Sequence, residues 1–362
     1  MKVVLSLERW VAVGIMLLFI GAVSVPSNGR MSGQSFLSIS GGTTLYVGGS
    51  GPDNYSKIQD AINDSSPGYT VYVYHGTYRE TLSINVTGLC LIGEDRESTV
   101  IDSTSRVAVT IMQDAVVMRG FKVRAYDYAP SGDGIYILEH HQHVQICDCN
   151  LSSDYYGVYI AAYNNYDTVE GSVFTANSNG VFIVNIDDDG HTVVRNNTFR
   201  DDMFGLNILS TRDEISNNTF EGCEEGLTQW GVFATIRDNV FFGNAVGLST
   251  IDGENTILRN KFEHNTLGLR GETIYKDVIS QNNFINNQRH AMFSIDHFSK
   301  NSDWNGNYWG ASTYPLGCKV IFGSKETRIP KIIQHIPDIP RFYWIPWINI
   351  DRNPAQQPYD IL

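Results

Sequence analysis

The sequence is poor in charged residues, and its acidic side chains outnumber its basic ones. Charged residues make up 18% of the 362 positions, and 39 Asp and Glu against 26 Lys and Arg give a net charge of −13. Nucleic acids bind mainly through Lys and Arg that neutralise their phosphates, so this balance excludes a nucleic-acid partner. An acidic surface suits metal cations, basic groups or neutral glycans instead.

Cysteine is also scarce, and long apolar runs are missing after the N-terminus. The five cysteines include no CxxC pair, which excludes a disulfide scaffold. Residues 10–25 form a short apolar stretch that follows Lys2 and Arg9 and ends at Pro26. Such a stretch is typical of an export signal, although a start nearer Leu5 makes it long enough to anchor in a membrane. We therefore predict a signal peptide or membrane anchor over residues 1–30, and export to the cell surface, the extracellular space or the periplasm.

A repeat of 21 to 25 residues runs through the middle of the chain. One apolar residue recurs in each copy, with an Ile or Val five residues before it and a Gly six residues after it, which is His290 in the last copy. The recurring apolar residues are Leu151, Phe174, Phe199, Phe220, Phe241, Phe262 and Phe284. Three columns that keep their offsets over seven copies indicate a repeat protein.

Each copy contains short strands separated by polar turns. After each Gly the sequence alternates with period two, as in Gly157-Val158-Tyr159-Ile160. An Asn recurs two residues before the apolar column, at Asn197, Asn218, Asn239, Asn260 and Asn282. Stacked Asn side chains can hydrogen-bond from one coil to the next. Because one unit cannot bury its own apolar face but stacked units can, the sequence predicts an all-β parallel β-helix of about ten coils.

The repeat and its flanks resemble a known family. The pattern resembles right-handed parallel β-helix proteins of the pectate-lyase-like superfamily, and most closely the export-associated NosD-type group, labelled periplasmic copper-binding, with its archaeal surface relatives. Residues 55–62 resemble the family's capping helix, and residues 306–310 its closing motif. The resemblance implies a right-handed β-helix over residues 42–310 with a helix near 55–63. It does not specify the chemistry, because such folds host lyases, hydrolases, epimerases and binding surfaces.

The end of the chain departs from the repeat. Residues 311–362 contain seven of the eleven prolines, together with Trp344 and Trp347. A solenoid needs its last coil covered, so we predict an irregular C-terminal cap over this range. A patch of aromatic residues that binds a glycan or a partner is the alternative.

The alternation also predicts which side chains face outward. If the first and third residues after each Gly face the core, the second faces solvent. This outward position is aromatic in three successive coils, at Tyr136, Tyr159 and Phe182. Aromatic rings offer an apolar surface to sugars, so we predict that these residues and Tyr163, in the following turn, bind carbohydrate. The alternative is that the rings stack on one another and stabilise the sheet.

The turn after this strand gathers acidic and histidine residues from successive coils. His141 and His143 are two residues apart, a spacing that can present two imidazoles to Zn²⁺ or Cu²⁺. Asp187, Asp188 and Asp189 precede a Gly and offer the oxygen ligands that Ca²⁺ prefers. The alternative in both cases is an exposed, solvated turn.

The same turn supplies candidate catalytic residues, which are Asp187, Asp189, Asp213 and Arg212. Carboxylates on adjacent coils would lie about 5 Å apart, which suits retaining glycoside hydrolysis. A Ca²⁺-assisted lyase would need a basic group beside acidic metal ligands, and Arg212 or Arg270 could fill that place. The sequence thus leaves three functions open: a surface protein that binds a polysaccharide, a polysaccharide lyase or glycoside hydrolase, and a metal-handling accessory protein of NosD type.

Overall fold

The computed structural model describes residues 42–125, 132–152, 155–185, 190–295, 301–310, 318–328 and 342–361. Over these residues the chain winds into a right-handed parallel β-helix of about eleven turns, which confirms the predicted fold class. The predicted signal peptide or anchor lies outside the described residues. No helix within the described ranges has the length and apolar character needed to cross a membrane.

Three sheets form the walls of the solenoid. The first sheet contains Thr44–Val47, Thr70–Val73, Cys90–Gly93, Val117–Arg119, Gln145–Cys147, Thr168–Glu170, Val193–Arg195, Glu214–Ser216, Thr235–Arg237, Thr256–Leu258, Val278–Ser280 and Asp303–Asn305. The second contains Gly76–Tyr78, Thr99–Ser103, Lys122–Ala125, Asn150–Ser152, Val173–Thr175, Thr198–Arg200, Thr219–Glu221, Val240–Phe242, Lys261–Glu263 and Asn283–Ile285. The third contains Leu82–Ile84, Val107–Ile111, Asp133–Ile137, Tyr156–Ile160, Asn179–Val184, Phe204–Leu209, Glu225–Trp230, Val246–Ile251, Leu267–Glu272, Arg289–Ile295, Lys319–Arg328 and Phe342–Asp351.

A short helix lies at the start of the solenoid, where the sequence predicts one. It spans Ile58–Asn63, and its buried face consists of Ile58, Ala61 and Ile62. The Glu80 carboxylate accepts hydrogen bonds from the backbone N–H groups of Ile58 and Gln59, at 2.9 and 3.1 Å. These two groups have no partner within the helix, so the first coil satisfies the helix N-terminus.

The predicted phenylalanine column stacks in the core. The rings of Phe220 and Phe241 lie 4.8 Å apart with their planes within 5°, and the neighbouring pairs are alike. Trp309 ends the stack at 4.4 Å from Phe284. The glycine column is needed because a Cβ atom on Gly226 would lie 2.7 Å from the carbonyl oxygen of Gly247.

The predicted asparagine column forms a buried ladder of hydrogen bonds. Asn239 Nδ2 donates to the Ile215 carbonyl at 2.9 Å and to Asn260 Oδ1 at 3.0 Å. Its own Oδ1 accepts from the backbone N–H and the Nδ2 of Asn218, at 2.9 and 3.1 Å. The same pattern links Asn197, Asn218, Asn239, Asn260, Asn282 and Asn307.

The C-terminal cap is more regular than predicted. The strand Lys319–Arg328 pairs in parallel with the strand Arg289–Ile295. The last strand, Phe342–Asp351, pairs in antiparallel fashion with Lys319–Arg328. Asp351 then accepts hydrogen bonds from the Asn307 backbone N–H at 2.9 Å and from the Trp309 indole N–H at 3.0 Å. The proline count suggested irregular structure, but the aromatic and β-branched residues of this segment favour strands.

Candidate functional site

The aromatic stripe, defined as Tyr136, Tyr159 and Phe182, lies on the outer face of the third sheet. Backbone pairing places the three residues side by side in adjacent coils. The rings of Tyr136 and Tyr159 stack at 4.8 Å with their planes within 7°. Since this separation is about the strand spacing, each ring covers one face of the other.

Two further tyrosines enlarge this stripe, and the sequence analysis missed both. Tyr156 stacks on Phe182 at 5.2 Å and 11°, and Tyr155 packs edge-on against Tyr156 at 4.6 Å. Burial raises the pKa of the Tyr156 hydroxyl to about 12, so this group stays neutral at ordinary pH and can donate or accept a hydrogen bond. The signal was present, because the pair directly precedes the Gly157 of the repeat.

A second line of side chains follows the turn between the third and first sheets. We call it the edge column, and it consists of His143, Tyr166, His191, Arg212 and Phe233. The rings of His143 and Tyr166 stack at 5.4 Å, those of Tyr166 and His191 at 5.2 Å, and the Arg212 guanidinium lies 5.5 Å from the Phe233 ring centre. Planar groups from five successive coils therefore line one corner of the solenoid.

The backbone of the edge column is strained. All five residues have positive φ angles, between 53° and 63°. Bulky side chains adopt this left-handed conformation at a cost of roughly 1 kcal/mol or more per residue. Tyr166 and Phe233 are nonetheless 44% and 47% exposed, so burial does not repay that cost. Residues in the other turns, such as Asn217 and Asp238, share this conformation, so it belongs to the solenoid turn, and the exposed aromatic surface is what points to a binding role.

Trp230 lies between the stripe and the edge column, and the sequence analysis missed it too. It is 46% exposed and pairs in register with Leu209 on one side and Ile251 on the other. Trp230 stands four residues after its Gly, whereas the predicted outward column contains only the second residue after each Gly. Continuing the period-two alternation by one more step would have found it.

The predicted histidine pair does not converge on one point. His141 Nδ1 lies 3.1 Å from Asp114 Oδ1, whereas the His143 ring stacks on Tyr166. His140 and His143 have φ angles of 65° and 61°, so this segment is a turn and not the extended strand that the spacing assumed. Tyr163, predicted to bind carbohydrate, stacks on His140 at 4.7 Å.

No metal centre is assembled by the described residues. Within the described ranges no three His, Cys, Asp or Glu side chains come close enough together to hold a metal ion. The candidate Ca²⁺ ligands, Asp187, Asp188 and Asp189, lie outside the described residues. The catalytic roles predicted for Asp187 and Asp189 therefore remain predictions. The residues seen here therefore do not fit a copper, zinc or calcium ion, and we assign no step to one.

The remaining catalytic candidates, Asp213 and Arg212, do not face the same space, because one is buried and the other is exposed. Asp213 is 1% exposed, and its Oδ1 accepts hydrogen bonds from the Thr192 backbone N–H at 2.9 Å and from Ser210 Oγ at 3.2 Å. Burial raises the pKa of the Asp213 carboxyl to about 7. The neighbouring Arg212 is exposed and lies over Phe233. Asp213 therefore belongs to the interior of the turn, away from any surface ligand.

Beyond the aromatic stripe the outer face of the third sheet becomes ionic. Arg270 reaches across the intervening coil to an ion pair with Glu225, and its Nε donates to Ser249 Oγ at 3.1 Å. Thr228 Oγ1 donates to the same Glu225 carboxylate at 2.7 Å. This paired network bounds the aromatic stripe on the side nearer the C-terminus, and it includes the guanidinium of Arg270, one of the two basic groups considered for a lyase.

Comparison with known proteins identifies the family model that this chain matches. Residues 63–314 match the model described as periplasmic copper-binding protein (NosD), which is more than half of the chain. No curated protein matches the sequence.

Several solved structures share the fold at low sequence identity. DFA-IIIase from Arthrobacter chlorophenolicus A6 in complex with GF2 aligns with a TM-score of 0.52 and 8% identity, covering 70% of this chain and 93% of that one. A mutant of this enzyme in complex with DFA-III aligns with a TM-score of 0.51 and 8% identity, over 72% of this chain and 86% of that one. A mannuronic acid specific polysaccharide family 6 lyase from human gut microbiota gives 0.47 and 14%, over 70% and 79%. At these identities the likeness establishes the β-helix fold alone.

Proposed function

The chain belongs to the NosD family, and from that premise we propose that it is an exported surface protein whose β-helix binds an extended carbohydrate along one corner. The proposed site comprises the aromatic stripe, Trp230 and the edge column. Export follows from the apolar segment at residues 10–25 and agrees with a family described as periplasmic.

One observation carries this proposal. Three aromatic side chains, Tyr166, Trp230 and Phe233, are each between 44% and 47% exposed along the same corner. Isolated surface aromatics are common, but a line of them across several coils forms an apolar surface that a ligand would cover. The coil spacing of about 4.8 Å puts Tyr136 and Trp230, four coils apart, about 19 Å from each other. A groove of that length suits a chain of several sugars.

The geometry divides the work among the residues. Because Tyr136 and Tyr159 each cover one face of the other, the ring edges and hydroxyl groups supply much of their contact with a sugar. Trp230 stacks on no other ring among the described residues, so it can present a face to a sugar ring. A net charge of −13 disfavours a strongly acidic polymer, so we expect neutral polysaccharides to bind best.

The proposal is tested by binding to a panel of neutral and acidic polysaccharides, measured with and without Ca²⁺. We expect wild type to bind at least one neutral polymer and the Tyr136→Ala/Tyr159→Ala and Trp230→Ala variants to bind about tenfold more weakly, which corresponds to about 1.4 kcal/mol. Phe242→Ala is the control, because Phe242 is 41% exposed but lies on the second sheet.

The outcomes separate the alternatives. Equal binding by wild type, Tyr136→Ala/Tyr159→Ala and Trp230→Ala would show that this corner is not the binding site. Failure of wild type to bind any glycan would favour a purely structural solenoid. Release of shortened products from a polymer would identify an enzyme, and we would then repeat the assay with Asp187→Ala in the presence of Ca²⁺.

A further inference from the structure

A second buried ladder runs along the turn between the second and third sheets, and one of its members is an acid. The column consists of Asn177, Asp202, Cys223, Asn244, Asn265 and Asn287. A side-chain oxygen accepts a backbone N–H from the coil before it at Asp202, Asn244, Asn265 and Asn287, for example Asn244 Oδ1 from Cys223 at 2.8 Å. Asp202 is 2% exposed, so it lies as deep as the asparagines around it.

The side-chain nitrogen of an asparagine in this ladder donates a hydrogen bond to a backbone carbonyl. Asn244 Nδ2 donates to the Phe220 carbonyl at 3.0 Å, and Asn265 Nδ2 donates to the Phe241 carbonyl at 2.9 Å. Both partners belong to the phenylalanine column, one coil back. By the same register, the Phe174 backbone carbonyl is the hydrogen-bond partner expected at the second side-chain oxygen of Asp202.

An ionised Asp202 cannot fill this role. Its Oδ1 accepts from the Asn177 backbone N–H at 2.7 Å and from Asn177 Nδ2 at 2.9 Å. Its Oδ2 occupies the place of the asparagine Nδ2, is buried, and has no hydrogen-bond partner among the described atoms. A carboxylate oxygen and a carbonyl oxygen are both acceptors, so the two can bond only when the acid carries its proton. An unpaired buried charge would be costly.

Three other acids repeat the arrangement at the turn between the third and first sheets. Asp167, Asp213 and Asp277 are buried, and their Oδ1 atoms accept backbone N–H groups of the preceding coil at 2.8, 2.9 and 2.8 Å. Oδ2 of Asp167 and of Asp213 is likewise buried without a partner among the described atoms. Asp277 differs at its second oxygen, because Asp277 Oδ2 accepts a hydrogen bond from Ser302 Oγ at 3.3 Å.

We propose that Asp202, and likewise Asp167 and Asp213, are held neutral and replace asparagine as hydrogen-bond donors in the ladders, so that the solenoid is more stable in acidic than in alkaline solution. Asp202 lies at a different corner from the edge column, so a variant at Asp202 tests this element separately from the carbohydrate site, whereas Asp167 and Asp213 directly follow Tyr166 and Arg212 of the edge column. It suits a protein that works outside the cell, where the pH varies.

The electrostatics agree with this geometry. Burial is the main cause that raises the pKa of Asp202 to about 7, and the neighbouring Asp201 adds to it. The adjacent coils face Asp202 with the uncharged Asn177 and with Cys223, whose thiol pKa is raised to about 12.

The acids at the turn between the third and first sheets behave in the same way. Burial raises the pKa of Asp213 and of Asp277 to about 7 and that of Asp167 to about 8. Asp114 adds to the rise at Asp167 and Glu254 to that at Asp277, while Asp213 faces Thr192 and Ser210.

The direction of the pH dependence follows from proton linkage. An unfolded Asp titrates near pH 4, so the folded state holds the extra proton from about pH 4 to about pH 7. The stabilisation from each acid is complete below about pH 4 and is lost as the pH rises through 7. Each acid therefore lowers the folding equilibrium constant by up to about tenfold per pH unit in that window.

The test is denaturant unfolding of the full chain between pH 4 and pH 9, for wild type and Asp202→Asn. An asparagine donates at every pH, so we expect the two proteins to be equally stable near pH 4. At pH 8 the variant should have the larger folding equilibrium constant, by up to about a thousandfold over the three pH units. The melting temperatures should diverge in the same direction.

Two further variants keep the result interpretable. Asp201→Asn removes an adjacent exposed carboxylate and should leave the pH dependence nearly unchanged. Asn244→Asp introduces a second acid into this ladder and should make the protein lose more stability as the pH rises. Parallel pH profiles for wild type and Asp202→Asn, or an Asp202→Asn protein that is less stable at pH 8, would overturn the proposal.

Discussion

Phe241→Ala is expected to lower the free energy of unfolding by about 3–5 kcal/mol. The ring is fully buried and stacks on Phe220 at 4.8 Å and on Phe262 at 4.9 Å, so its removal opens a cavity in the middle of the column. The neighbouring coils cannot close this cavity readily, because the strand ladders on all three sides fix their spacing. Urea unfolding followed by circular dichroism measures the loss.

The matched control for this prediction is the next residue along the chain. Phe242 is 41% exposed on the outer face of the same strand, and it touches His264 edge-on at 5.6 Å. Its replacement by Ala should cost less than about 1 kcal/mol, as is usual for surface positions. Equal losses at the two positions would contradict the assignment of the phenylalanine column to the core.

Asn239→Ala is expected to destabilise the protein by about 1–3 kcal/mol. Asn239 is fully buried, and its replacement leaves the Asn218 backbone N–H and the Ile215 carbonyl without their partners at 2.9 Å. Water cannot readily replace them in so closely packed a turn, so the desolvation cost remains. Thermal unfolding is the measurement.

The control here is an amide that faces solvent. Gln288 is exposed, so Gln288→Ala should change the melting temperature little. A melting temperature for Asn239→Ala that equals wild type would mean that the asparagine ladder does not stabilise this solenoid.

Most of the fold could be predicted from the sequence because each repeat carries the same physical constraint. Only a stack of coils buries the phenylalanine column, and only Gly tolerates the close approach at positions such as Gly226. The cap was predicted less well. Pro346 lies within the antiparallel strand Phe342–Asp351, where it pairs with Ser324, so proline content alone was misleading.

The candidate site was predicted less completely, because its geometry depends on turn conformations. The spacing of His141 and His143 gave no sign that a left-handed residue at each end, His140 and His143, would turn their side chains apart. The burial of Asp213 could have been anticipated, since it occupies the ladder position that Asn255 fills two coils later. Ring stacking between Tyr136 and Tyr159 follows from strand spacing, and it was the alternative left open.

The most direct test of the carbohydrate site is a crystal structure of the protein with an oligosaccharide taken from the best-binding polymer. We predict that the sugar chain lies along the corner, with one ring against Trp230 and others in contact with the hydroxyl groups of Tyr136 or Tyr159. A sugar chain bound only elsewhere, such as on the outer face of the second sheet near Phe242 or on the C-terminal hairpin near Phe322, would contradict the proposed site.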